Sequence, residues 1–274
     1  MNYTFETISS LAIAGMITSG IVSLVVPLVA LIIWYKKTKA RISSFFIGCA
    51  VFILFALVLE SAMHNLVFKL TGNTITGNIW LYALYGGLAA GVFEETGRFV
   101  AMKFCMKNCL DKKNSIMYGF GHGGIEAVLV CTVTEISNIV TSFAINAGGL
   151  DTILNTVTVE ETKNDLYVQL SQLWTLDGGI FFAAGVERIS AMTFHVCASY
   201  IVYKAIADKK ISKYFIAILL HMILDALTLL LNESGCPIWG IEAIVAACSA
   251  ALLVYVVRDY RKRITEVDAV EAAA

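Results

Sequence analysis

The stretch SLAIAGMITSGIVSLVVPLVALIIWY, residues 10–35, carries no charged side chain and ends against Lys36, Lys37, Lys39 and Arg41. About 20 apolar residues in a helix cross the ~30 Å hydrocarbon core of a bilayer, so this stretch reads as a membrane span. Residues 1–9 contain no Lys or Arg, which is not how a cleaved signal peptide begins, and the span is expected to be retained. Six further apolar stretches follow, at about 44–68, 77–101, 115–144, 178–203, 213–231 and 238–257. The fourth is longer than a bilayer requires, so it is tilted or extends past the interface. The whole chain agrees: 58% of its residues are hydrophobic and 15% charged, where soluble domains carry about a quarter charged.

The basic residues set an orientation. Connections after the first, third, fifth and seventh spans hold four Lys or Arg each, whereas the other side has only Lys69 and Lys163. The positive-inside rule then puts the N-terminus outside and the C-terminus in the cytoplasm. The expected fold is an all-α polytopic membrane helix bundle of about seven transmembrane helices in the cell membrane. Residues 1–264 form one integral-membrane domain and residues 265–274 a short C-terminal tail. A net charge of −1 leaves no basic surplus for nucleic acid. Seven scattered cysteines imply no disulfide framework and read as packing residues. In the longest outer connection, Leu166, Leu170, Leu173 and Trp174 follow helical spacing behind Glu160, Glu161, Lys163 and Asp165, as an amphipathic helix on the outer membrane surface would.

Within the spans lie all four histidines, His64, His122, His195 and His221, with Glu60, Glu94, Glu95, Glu126, Glu135, Glu187, Asp225, Glu242, Arg98 and Arg188. A charge at mid-bilayer costs about 2.5–3.5 kcal/mol on insertion scales, so these groups must face one another or an aqueous cavity. Glu94 lies nine residues before Lys103, His195 nine before Lys204, His122 eight after Asn114, and His221 eight after Lys213. At 1.5 Å per residue all four sit roughly 12–14 Å from the cytoplasmic interface, in one layer built by four helices. His122 with Glu126, His221 with Asp225, and Glu94 with Arg98 are spaced i,i+4 and share faces. In the histidine pairs the carboxylate would fix the tautomer of the ring, and Arg98 would be the counter-ion of a glutamate. Gly86, Gly87, Gly91, Gly119, Gly121, Gly123 and Gly124 flank these positions and allow close helix approach or leave room for a substrate backbone. Glu60, His64 and Glu135 read as a structural cluster in the outer half, Glu187 and Arg188 as either site residues or a structural pair, and Glu242 as a group snorkelling to the outer interface.

Glu94-Glu95-x-x-Arg98, Gly121-His122-Gly123-Gly124-x-Glu126, Glu187-Arg188 with Phe194-His195, and His221-x-x-x-Asp225, in this order, resemble the YhfC-type family of intramembrane proteases. That family belongs to the larger group of CAAX prenyl endopeptidases and bacteriocin-processing enzymes. The resemblance implies a protease-like domain that hydrolyses peptide bonds of a membrane-embedded or lipidated peptide. Carried over by position, Glu94 or Glu95 would activate water, and His195 and His221 would bind water or the oxyanion. Arg98, His122, Glu126, Glu187, Arg188 and Asp225 would support them. CAAX-type members place the basic residue four after the second glutamate, whereas here Arg98 stands three after it and shares its face best with Glu94. Either glutamate fits the role of base.

Two hydrolytic chemistries are open. A glutamate can take the proton of water while imidazoles stabilise the oxyanion, or His122, His195 and His221 with a glutamate can hold zinc or another divalent metal. No H-E-x-x-H signature is present. The alternative of another class is a proton- or ion-coupled transporter using the same carboxylate and histidine layer. The chain carries no internal repeat of the kind many transporters show, and its charged layer lies toward one face, which favours a cytoplasm-opening hydrolase.

Overall fold

In the computed structural model residues 3–273 are described, with side chains for residues 3–262. Among the described residues every regular element is helical, as the composition requires. The long helices are α1 (Ser10–Thr38), α2 (Ile42–Thr71), α3 (Ile79–Val100), α4 (Lys112–Asn146), α5 (Glu160–Thr175), α6 (Phe181–Ala207), α7 (Ser212–Glu233) and α8 (Ile238–Ala273). The tail set apart at 265–274 lies outside the residues with described side chains. Helices α1, α2, α4, α6, α7 and α8 are long and apolar enough to cross a membrane. Their outward faces carry bare apolar side chains such as Ile21 and Leu28 on α1 and Phe215 and Leu219 on α7, which suits contact with acyl chains. Six helices therefore qualify where the sequence predicts seven. The remaining one, α3, has 22 residues, or roughly 33 Å, but Glu94, Glu95 and Arg98 interrupt its apolar run.

The chain divides into two compact units. The first comprises Met1–Val25 and Ala127–Arg188. Ile8, Ala12 and Met16 pack there with Ile145, Leu150, Leu154 and Leu173, and Leu166, Leu170 and Trp174 of α5 join them. The apolar face of α5 is thus spent on the protein's own core and not laid on a membrane surface. Asn146 anchors the segment before α1 by accepting from the Ile8 N–H at 2.8 Å and donating to its carbonyl at 3.1 Å. Ser19 on α1 donates to the Phe181 carbonyl at 2.6 Å and accepts from the Gly185 N–H at 3.0 Å.

The second unit comprises Val26–Glu126 and Ile189–Ala274. Helix α3 starts where the Asn78 side chain accepts from the N–H groups of Trp80 and Leu81, a capping arrangement that satisfies two orphan donors. It packs along α7, while the first part of α2 packs along the first part of α4. Both pairs come together at glycines. A Cβ at Gly87 would overlap the Met222 carbonyl oxygen, and one at Gly121 would overlap the Phe45 carbonyl. Between apolar helices in lipid no hydrophobic drive remains, so backbone-level packing at small residues takes over. Helices α2 and α4 also contain wider π-helical stretches, Ile53–Glu60 and Ala127–Thr132, that begin or end beside Glu60 and Glu126. Such stretches recur where side chains are re-aimed for a purpose.

Gly86 is a contrasting case, since a Cβ there would meet nothing within 4 Å. Gly121→Ala is expected to destabilise by about 1–3 kcal/mol, the usual range for overpacking, and Gly86→Ala to leave stability unchanged or slightly raised. Thermal unfolding of the purified variants in detergent checks this, and equal melting of Gly121→Ala and the parent protein would contradict the close approach of α2 and α4.

Candidate functional site: a buried carboxylate and histidine cluster

The second unit brings together Glu94, Glu95 and Arg98 from α3, His122 and Glu126 from α4, His195 from α6, and His221 and Asp225 from α7. Arg98, Glu95 and His122 have no exposed surface, His195 and His221 have 3% each, and Glu94 has 7%. The ring centroids of His122 and His195 are 5.0 Å apart and those of His195 and His221 5.4 Å. Phe194 packs edge-on against both His195 and His221. Four helices thus deliver their ionisable groups to one layer, which is what equal distances from the basic helix ends predict.

The partners within that layer differ from those that spacing suggests. Arg98 donates to Glu95 Oε1 and not to Glu94. Its second amino group donates to Nδ1 of His195 at 3.1 Å. The same Glu95 oxygen accepts from Nδ1 of His221 at 3.0 Å. Glu94 Oε2 accepts from Nε2 of His122 at 2.8 Å and lies 3.8 Å from Nδ1 of His195. Glu126 Oε2 stands 2.5 Å from Nε2 of His195 on another helix instead of serving His122 on its own. His221 and Asp225 keep the expected i,i+4 relation, with Nε2 and Oδ2 3.5 Å apart. Glu126 is engaged by His195 on a neighbouring helix in place of its own i−4 residue, whereas Arg98 takes Glu95 three residues back on its own helix, a spacing that shares a face as four does.

Tautomers follow from the donors. Arginine can only donate, so Nδ1 of His195 accepts, and the ring proton sits on Nε2 facing Glu126. Nδ1 of His221 faces Glu95 and leaves Nε2 turned toward Asp225. A carboxylate oxygen of Glu94 and one nitrogen each of His195 and His221 lie within 4.8 Å of one another, all buried. Two imidazoles and one carboxylate are a donor set that suits zinc or a similar divalent ion with a position left open. Glu95 behind His221 and Glu126 behind His195 supply the carboxylate backing that ligating histidines use. The residues present therefore fit a divalent ion, with Arg98 as the competing occupant of His195 Nδ1. Of the expected set of three histidines with a glutamate, Glu94, His195 and His221 converge, and His122 bonds to Glu94 at 2.8 Å. Four buried polar atoms in this layer have no partner among the described residues: Glu95 Oε2, Arg98 Nε, His122 Nδ1 and the Tyr118 hydroxyl.

Glu187 and Arg188 belong to the first unit and pair with each other, Arg188 Nε donating to Glu187 Oε2 at 2.9 Å. Glu135, also in that unit, accepts from Asn138 at 3.1 Å. Glu60 and His64 do bond, at 3.2 Å, and His64 also contacts the Tyr85 hydroxyl at 2.7 Å. Glu242 is buried at 5% exposure and does not snorkel. Tyr118 is not among the ionisable positions that depth and motif single out, although its place one turn before His122 is a usable signal, and its ring stacks near that histidine at 6.0 Å.

Arg98→Met is expected to destabilise the protein by about 3–5 kcal/mol, because it leaves the buried charge of Glu95 with His221 alone against it. Adding Glu95→Gln to Arg98→Met should recover a large part of that loss. A double-mutant cycle on unfolding in detergent measures the coupling, and additive effects would rule out the pairing.

Residues 22–246 match the family model described as YhfC intramembrane metalloprotease. The chain is also 33% identical over 256 residues to an uncharacterized membrane protein, YhfC, of Bacillus subtilis (strain 168), covering 90% of this chain and 96% of that protein. No solved structure matches it. Helical architecture, membrane-crossing segments and the extent of these matches lead to one conclusion: this chain is a multi-pass membrane protein that belongs to the YhfC intramembrane metalloprotease family.

Proposed function

We propose that the protein is an intramembrane endopeptidase and that Glu94, His195 and His221 form its reactive centre, within a protease domain spanning residues 1–264. The observation that carries this reading is the convergence of one carboxylate and two imidazoles within 4.8 Å, buried in a membrane protein. Glu94 is the base. It retains slight exposure, whereas Glu95 is fully enclosed and engaged by Arg98 and His221. Glu95 and Arg98 are positioning residues that hold His221 and His195.

In the reaction, Glu94 takes a proton from water as the water oxygen bonds to the carbonyl carbon of the peptide. The C–N bond then breaks, and a proton passes to the leaving amine. Glu94 hands the proton taken from water to the leaving nitrogen, while Glu95 at Nδ1 and Asp225 near Nε2 orient the His221 ring. His122 orients Glu94 through its bond to Oε2. Glu94, His195 and His221 are also the residues that would hold a divalent ion, zinc by donor type. When bound, such an ion supplies a Lewis acid and lowers the pKa of its water toward about 7. The substrate is a membrane-embedded or lipidated peptide.

The test is incubation of the purified protein in liposomes with peptides and lipidated peptides, reading new termini by mass spectrometry. Glu94→Gln should lower kcat/KM by roughly 10²–10⁴-fold, the range for a lost general base, with unchanged melting. Chelation should abolish activity if the ion is required, and added zinc should restore it. Full activity of Glu94→Gln would eliminate this base, and ion-driven solute uptake without any cleavage would replace the peptidase reading with that of a transporter.

A further inference from the structure

The reactive cluster has two sides along the helix axes, and they differ in packing. Toward the helix ends that carry Lys103, Lys112, Lys204 and Lys213, the next turns are closed. Met102 in the π-helical stretch Ala101–Cys105 that follows α3, Tyr118 on α4, Val202 on α6 and Ala217 on α7 have no exposed surface and pack with Met106 and Ile201 in one core. Each of these residues lies one or two turns beyond Glu94, His122, His195 or His221 in the basic direction. Water or a peptide entering from that face would have to cross a packed layer.

On the opposite side the second unit holds a cavity of about 220 Å³. Its walls include His64, Phe68, Tyr82, Tyr85, Gly86 and Asp225. These belong to the end of α2, the start of α3 and the end of α7, the helix ends near Lys69. A space of this size is well beyond a packing defect. Asp225 is the link inward. Its side chain is 41% exposed, and its Oδ2 lies 3.5 Å from Nε2 of His221, which itself contacts Glu95. Gly86 borders the same space. Unlike Gly87 and Gly91, whose missing side chains let α7 approach, Gly86 is required by no neighbour, and its bareness enlarges the cavity. His64, bonded to Glu60 and Tyr85, stiffens the facing wall.

We propose that this cavity is the entry to the reactive cluster, so that water and the substrate's chain arrive from the face opposite the Lys- and Arg-rich connections. By the charge rule that is the outer face, the reverse of a cytoplasm-opening enzyme. Asp225 is the lining's carboxylate and among the described residues that line the cavity there is no Lys or Arg, so it admits neutral or cationic peptide segments and disfavours acidic ones. The inference builds on the peptidase reading for the meaning of entry, but the geometry of access stands apart from any cleavage.

The experiment is sided labelling in a cysteine-free background that restores the full chain with one thiol at a time. Gly86→Cys reports the cavity, and Lys210→Cys, on an exposed turn among the basic residues, reports the other face. Intact cells and inverted vesicles are treated with a membrane-impermeant maleimide. Gly86→Cys should label from the face opposite to Lys210→Cys, and Asp225→Asn should leave that sidedness intact. Labelling of both from the same face, or of Gly86→Cys from neither, overturns the proposal. Because the readout is alkylation, absence of peptidase activity would sink the functional reading while leaving this result to be judged alone.

Discussion

A guanidinium with no exposed surface, inside a chain that crosses lipid, constrains everything around it. Arg98 cannot lose its proton, and on insertion scales a central arginine costs about 2.5–3.5 kcal/mol before partners are counted. The structure meets that demand by placing Glu95 one turn back on the same helix and His195 on another. Glu95 in turn holds His221. One side chain thereby ties α3, α6 and α7 at the depth of the cluster. Burial of this kind is weak grounds for net stability. Its consequence is orientation, because the two histidines that face Glu94 are each fixed through one ring nitrogen.

The same layer depends on helices coming close. Lipid tails are as apolar as leucine, so helices in a bilayer are held by packing at small residues and by polar contacts. Gly87 and Gly91 bring α3 onto α7, and Gly48 and Gly121 bring α2 onto α4. Gly123 does the same between α4 and α6, where an added Cβ would press on the Met192 Cα and the His195 side chain. Without those approaches His122, His195 and His221 could not stand about 5 Å apart across three helices. The glycines flanking the motifs are therefore mainly packing devices, with Gly86 as the one whose bareness serves a cavity.

How much of the site was legible can be argued residue by residue. Glu94, His122, His195 and His221 were found from depth alone, since equal counts from the basic helix ends translate directly into equal heights. Their partners were not. Spacing pairs Glu126 with His122 and leaves Arg98 open to either glutamate, whereas the structure gives Glu126 to His195 and Arg98 to Glu95. Helical periodicity reports which residues share a face of one helix but says nothing about what a second helix presents to it. The same limit explains α5, whose amphipathic spacing was right and whose apolar face meets Ile8, Ala12 and Leu150 instead of lipid headgroups.

By itself the amino-acid sequence determined that this protein lives in a membrane, is helical, and gathers acids and histidines at one depth. These are one-dimensional properties: runs of apolar side chains, the side on which lysines fall, and distance along a rise of 1.5 Å per residue. Only the tertiary structure decided which three groups converge and that Glu126 of α4 meets His195 of α6. It also decided that the packed side of the cluster faces the basic connections and the open side faces away. Those outcomes turn on the rotation of each helix about its axis and on contacts between residues 28 to 126 positions apart, such as His122 with Glu94 and His221 with Glu95. Neither quantity is written in any local stretch of the chain.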